Sequence, residues 1–389
     1  MSRFHSYLSS ASIILQSYDG VEPFVHYLKK HFAANKKYGS RDRKLIASLC
    51  YSSFRTVHAL HDETTEQKII KGYFLCESKS NLLLNDLYPD LNEKIEYSFI
   101  EKCHFLNIHS SAIFPFLSEL SDDINHDAFT CSFLRQPLLY LRLRPGKKNT
   151  VLAKLNTVAV KFDLLKEDCV ALENATSLDK VLRLNKEAVV QDFNSQRVFD
   201  FPENIFQLSS KEKKVSVWDC CAASGGKSIL MYDKMQGNIQ LTVSDIRKNI
   251  LHNLQQRLQE AVVPVYKTFA ADLAKAVPED KEDVFDLIIC DVPCTGSGTW
   301  SRTPEQLAFF KTGSIDEYAS RQKKIAGNAA MFLKNGGLMF YITCSVFKKE
   351  NEAVVEILQK EHSLQLLHMQ YLKGYHMQAD TLFVAVLTK

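Results

Sequence analysis

The second half of the chain constrains the fold most. From about 213 onward, short apolar runs that read as buried strands alternate with segments whose apolar residues recur at helical spacing. The strands are expected at VSVWD (215–219), QLTVSD (240–245), PVYKTFA (264–270), VFDLIICD (284–291), GGLMFYIT (336–343) and TLFVAVL (381–387). The helices are expected from about 226, through Ile250, Leu251, Leu254 and Leu258, and over about 315–334 and 350–361. Such alternation calls for a mostly parallel sheet covered by helices on both faces. Ligands of these sheets bind beyond the carboxyl ends of the strands. That rule gathers four segments on one rim: the loop after Asp219, Asp245, the DVPC stretch and the TCS stretch.

The upstream half reads differently. At 389 residues the chain exceeds one hydrophobic core. Residues 1–128 read as helical, with Phe24/Val25, Leu28 and Phe32, then Leu45/Ile46, Leu49 and Phe54, on apolar stripes. LLYLRLRP alternates and predicts a half-buried strand exposing Tyr140, Arg142 and Arg144, followed by a helix over about 149–159 and further short strands to about 200. The domains expected are therefore 1–128, helical; 129–205, small and α+β; and 206–389, α/β. Seven Lys/Arg with one acid lie between Lys29 and Lys44, and seven with none between Arg135 and Phe162. Such patches suit a phosphate-bearing partner. MSRFHSYLSS lacks the apolar core of a signal peptide, and no run approaches membrane-spanning length, so the expected location is cytoplasmic. The ten cysteines are scattered and fall in neither CxxC nor zinc spacing, which predicts free thiols and no metal.

WDCCAASGGKSIL resembles a P-loop, but Cys221 stands where the first glycine must be. What remains is a turn of small residues (Ala222, Ala223, Ser224, Gly225, Gly226) exposing amides at a helix start, with Asp245 ending the next strand. An acid there suits ribose hydroxyls, or else it caps the following helix. An adenosine-like ligand without a polyphosphate fits, and S-adenosylmethionine has that description.

Two cysteines, Cys294 and Cys344, follow the ends of core strands. A thiolate that adds to carbon 6 of cytosine makes carbon 5 nucleophilic toward a methyl donor, dividing one hard step into easier ones. Asp291, on the same loop as Cys294, could bond the exocyclic amine of cytosine. Cys220 and Cys290 read as core.

CCAASGGKS, DVPCTGSGTW and YITCSVFKKEN, with QDFNSQRVFDF ahead of them, resemble the motifs of the Sun/Fmu-type (Nop/Sun) RNA cytosine-C5 methyltransferases over about 185–389. The resemblance implies a class I, Rossmann-like S-adenosylmethionine-dependent methyltransferase domain behind a helical N-terminal domain and a small α+β linker. It implies cofactor contacts at Cys221, Ala222, Ala223, Ser224, Gly225, Gly226, Lys227, Asp245, Asp272 and Asp291. It makes Cys344 the nucleophile and Cys294 the residue that assists release, with Asp291 and Lys227 beside the base. Ser224 replaces the usual proline, and the last strand lacks a preceding Gly-Phe-Phe. SRDRKLIASLCYSSFR resembles a helix of the NusB-like domain found in some bacterial members, which favours ribosomal RNA as partner. The expected enzyme is a monomer. The readings left open are a transfer RNA methyltransferase, a DNA cytosine-C5 methyltransferase using Cys294, a non-catalytic RNA-binding assembly factor and a P-loop NTPase.

Overall fold

The computed structural model describes residues 2–174, 176–201, 213–275 and 284–389. The expected boundary near 205 lies outside the described residues. Cα proximity divides the chain into two compact units, 1–136 with 299–312, and 137–298 with 313–389.

The first unit is helical. Its longer helices are Arg3–Ser17, Phe24–Ala34, Ser40–Arg55 and Thr65–Cys76. The last starts with a capping box, in which Thr64 and Gln67 satisfy each other's end amides. Phe24, Leu28 and Phe32, and Ile46, Leu49 and Phe54, are buried, whereas Val25 is exposed. Within this unit Trp300 packs against Phe114, Phe116 and Phe310.

The second unit holds two sheets. The smaller runs β2–β3–β1–β4, from β1 (Leu139–Leu143), β2 (Phe162–Lys166), β3 (Cys169–Leu172) and β4 (Ala188–Val190). Here one expectation is overturned. The basic face of β1 is not exposed: Tyr140 and Arg142 are both 2% accessible. Arg142 and Arg144 both bind the Asp233 carboxylate, at 2.5 and 2.8 Å. Both faces of this strand are covered, and one acid on the helix Gly226–Lys234 pairs with both cations that alternation had assigned to solvent.

The larger sheet comprises β5 (Val215–Asp219), β6 (Ile239–Asp245), β7 (Lys267–Ala270), β8 (Phe285–Asp291), β9 (Leu333–Thr343), β10 (Gln365–Leu372) and β11 (Leu382–Thr388). Its order is β10–β11–β9–β8–β5–β6–β7. The β7–β6–β5–β8–β9 portion is parallel, and β11 and β10 are added antiparallel. Burial on both faces explains the continuous apolar runs: Val217, Leu241, Leu287 and Phe340 point into one core, while Trp218, Ile288 and Met339 are buried between them in sequence. Strand β10 was not expected. It is a sheet edge with mixed exposure, so QLLHMQYL carries no clean period. The helix expected over 315–334 ends at Ala330, because Leu333 already pairs with Phe285 of β8. The QDFNSQRVFDF segment ties the two sheets together: Gln191 receives Arg142 Nε, and the fully buried Asn194 amide donates to Leu372 and Asp380.

Candidate active site

Parallel pairing of β5, β6, β7, β8 and β9 brings their carboxyl ends to one edge, where a cleft of about 420 Å³ opens. Cys221, Ala223, Asp245, Asp272, Asp291, Cys294 and Cys344 line it, so residues more than a hundred positions apart share one wall.

The turn after β5 is built by its neighbours. Ser244 of β6 accepts the Trp218 indole N–H and donates to the Cys220 carbonyl, and the Ala222 amide donates to the Ser244 carbonyl. Gly225 then adopts φ +79° as the N-cap of the helix Gly226–Lys234. A Cβ there would fall 2.4 Å from Leu254 Cδ1, so this glycine serves helix packing and is not among the residues lining the cleft. Ala222 is likewise buried away from it. Ser224 points outward, and Arg257 grips its hydroxyl and carbonyl at 2.8 and 3.0 Å, so the loop is tethered where a proline would have stiffened it.

Asp245 is 5% accessible. Burial pushes its pKa up, but hydrogen bonds from Arg247 and the Ala223 amide outweigh that and hold the carboxyl below its ordinary range. Its helix-cap role is modest: it accepts the Arg247 amide at 2.9 Å. The Arg247 side chain, 54% accessible, covers it from outside. Asp272 follows β7 and accepts the Ala274 amide.

Lys227 and Asp291 form an ion pair at 2.6 Å. Burial disfavours the ammonium, but Asp291 and then the Cys344 sulfur outweigh it, and the Lys227 pKa is raised. This amine is therefore engaged with a carboxylate rather than presented to a phosphate, as a P-loop would require.

Beside this pair, Cys294 Sγ and Cys344 Sγ stand 3.3 Å apart. The contact with Cys344, followed by burial, pushes the Cys294 thiol well above the usual thiol range. The two loops are stitched by backbone: the Gly298 amide donates to the Cys344 carbonyl at 2.8 Å. A Cβ at Gly298 would lie 2.0 Å from the Thr381 carbonyl, so only glycine permits this approach. Cys220 and Cys290 are buried at 2% and 0%.

Sequence reasoning missed several lining side chains: Ile246, Arg247, Leu273, Arg321 and Ile325. Arg321 and Ile325 sit on the long helix Ser314–Ala330, whose buried stripe (Ile315, Ala319, Ile325, Ala329) includes a polar intruder, Gln322. A glutamine on an apolar stripe was the readable signal. Glu350, within YITCSVFKKEN, is a further residue that no local pattern singles out; it is 0% accessible.

Among the described residues no His/Cys/Asp/Glu group could hold a metal ion, and no helix is long and apolar enough to cross a membrane.

Residues 204–384 match the family described as 16S rRNA methyltransferase RsmB/F. This segment, just under half of the chain, is therefore similar to the RsmB/F family. It is 27% identical over 198 residues to the "Probable ribosomal RNA small subunit methyltransferase B" of Bacillus subtilis, covering 51% of this chain and 43% of that protein. It is 31% identical over 154 residues to the "Ribosomal RNA small subunit methyltransferase F" of Aeromonas salmonicida, covering 40% and 32%. The chain thus spans less than half the length of these two relatives. The crystal structure of PH0851 shares the fold over 98% of both chains, with TM-score 0.70 and 16% identity. NSun6 from Pyrococcus horikoshii shares it over 70% of this chain and 99% of that one, with TM-score 0.57 and 14% identity.

The cofactor of this methyltransferase-like domain is S-adenosylmethionine, and the cleft fits it. Asp245 presents carboxylate oxygens suited to a diol, Asp272 suits an amine, and Ile246, Leu273, Val292 and Ile325 supply apolar contact for a flat ring. Bound there, the cofactor supplies an electrophilic methyl group.

Proposed function

We propose that the chain methylates carbon 5 of a cytosine in ribosomal RNA, through a transient bond between Cys344 and carbon 6 of the base. The observation that carries this reading is the sulfur pair. Two thiols 3.3 Å apart line the cofactor cleft, and Cys344 is electrostatically coupled to Lys227, which pairs with Asp291. No purely structural role requires two sulfurs at the rim of a ligand cleft.

The residues divide the work as follows. The Cys344 thiolate adds to carbon 6, and the electron pair displaced from the 5,6 double bond makes carbon 5 nucleophilic. Asp291 accepts a hydrogen bond from the exocyclic amine, which distinguishes cytosine from uracil. Lys227 holds Asp291 in place and offsets negative charge developing on the ring. After carbon 5 gains the methyl group, its proton passes to solvent water, the freed electron pair re-forms the 5,6 double bond, and the Cys344–carbon 6 bond breaks with its pair returning to sulfur. Cys294 keeps its proton, so it can donate a hydrogen bond to the departing Cys344 sulfur and assist release.

The test is nucleoside mass spectrometry for 5-methylcytidine after incubation with S-adenosylmethionine and unmodified ribosomal RNA. Wild type should form product, and Cys344→Ala should form none while binding the cofactor normally. Cys294→Ala should accumulate a protein–RNA adduct that survives denaturation. Product from Cys344→Ala would move the nucleophile to Cys294; product on transfer RNA alone would change the substrate.

A further inference from the structure

The sulfur pair lies on two loops that neither strand alone can hold in register. Cys294 follows β8, Cys344 follows β9, and each lies beyond the last ladder pair, Asp291 with Ile342. One side chain joins them. Glu350 Oε2 accepts the Thr295 amide at 2.9 Å, and Oε1 accepts the Thr295 hydroxyl at 2.5 Å. The same Oε1 accepts the Ser345 hydroxyl, also at 2.5 Å. Thr295 directly follows Cys294, and Ser345 directly follows Cys344. Gln322 completes the frame, donating its amide to Glu350 Oε2 at 2.9 Å and to the Pro293 carbonyl at 3.0 Å. A single carboxylate thus holds the residue after each thiol, and the glutamine that braces it also holds the residue before Cys294.

We propose that Glu350 is the positioning residue of the thiol pair, its carboxylate locking the two cysteine loops together so that Cys294 and Cys344 stay in sulfur–sulfur contact. Glu350 does not line the cleft and does not touch the reacting atoms. Its site explains why a buried carboxylate is tolerated: four donors satisfy its two oxygens, the condition for keeping such a group inside. Burial, the strongest influence on it, still raises its pKa. Its charge is one of the influences that keep the Cys294 proton in place. The inference deepens the proposed covalent mechanism and rests on it for its catalytic consequence, but the brace itself can be tested without RNA.

The experiment is peptide-resolved iodoacetamide alkylation at pH 8, comparing wild type, Glu350→Ala and Glu350→Gln. Glu350→Ala frees the loop, which exposes Cys294, and removes one of the charges that favour its protonated form. Its alkylation should accelerate about tenfold, the change expected when a thiol pKa falls by one unit. The buried Cys50, Cys220 and Cys290 should keep their wild-type rates. Unchanged alkylation at Cys294 would overturn the proposal. If Glu350→Ala fails to fold, so that all cysteines react together, Glu350→Gln decides. It keeps the size and one acceptor, so a smaller but selective rise at Cys294 supports the brace and wild-type rates overturn it. In a methylation assay Glu350→Ala should lower kcat on the order of 100-fold, the cost of a misplacement near 1 Å, with cofactor affinity unchanged and Glu350→Gln recovering part of the rate. Selective alkylation with no methylation by wild type would uphold the brace and sink the proposed reaction instead.

Discussion

Asp219 ends the central strand β5 and is 1% accessible. Burial raises its carboxyl to about 7, against the opposing hydrogen bond from the Ser228 hydroxyl at 2.5 Å. The sign of the pH effect follows. An unfolded Asp releases its proton near pH 4, whereas the folded one keeps it to about 7, so the folded state binds more protons in between. Stability is therefore lost as pH rises through that window. Asp219→Asn has no proton to lose. Its stability relative to wild type should improve by about 2–3 kcal/mol between pH 5 and pH 7, at roughly 1.4 kcal/mol per unit. Urea unfolding at the two pH values reads this; a constant difference would mean that the carboxyl titrates normally. The same residue scale explains why Asp245 was legible and Glu350 was not. Asp245 occupies a position defined by its own strand, whereas Glu350 acquires its partners, Thr295 and Gln322, only when a loop 55 residues away and a helix 28 residues away arrive.

At the scale of elements, the correction at β1 is the instructive case. Strict alternation of Leu with Tyr and Arg is the pattern of a sheet with one wet face. Here the helix Gly226–Lys234 covers that face, and Asp233 pairs with Arg142 and Arg144, whose side chains are 3% and 10% accessible. A buried charge is kept only with a partner. Asp233→Ala should therefore cost about 3–5 kcal/mol, because it leaves two guanidinium groups uncompensated. Thermal unfolding checks this, and a loss below about 1 kcal/mol would mean that the pair behaves as an exposed one. The edge strand β10 failed for the opposite reason: its more exposed positions include the apolar Leu367 and Met369, so the sequence does not follow the alternation of burial.

For the whole molecule, the charge pattern must be recounted from what the fold leaves in water. Of the seven cations between Arg135 and Phe162, Arg142, Arg144 and Lys154 are ion-paired with Asp233 and Glu187. Of the other four, Arg135, Lys147 and Lys161 are exposed and Lys148 partly so, and Lys36 and Lys37 are exposed in the helical unit. If RNA is the partner, these are the phosphate contacts to expect. Replacing Lys147 and Lys148 together by Glu should weaken RNA binding across sequences and reduce the slope of log affinity against log salt by about 1.5 to 2. Filter binding over a salt series tests it; an unchanged slope removes this patch from the interface. The Lys36/Lys37 pair can be tested in the same way, independently.

The sequence by itself determined the α/β class, the rim and the residue types gathered on it. Those follow from short-range rules: strand and helix periods are local, and parallel pairing then sends every strand's carboxyl end to one edge. It also marked Cys294 and Cys344 as unusual, since thiols just past buried strands needed an explanation. Tertiary structure alone decided that their sulfurs lie 3.3 Å apart, that Lys227 is held by Asp291 and that Glu350 bridges the two loops. It also decided that Arg142 is neutralised inside rather than offered to a partner. The physical reason is the same in each case. Burial and pairing of polar groups depend on which distant segment lands on them, and no local period encodes that.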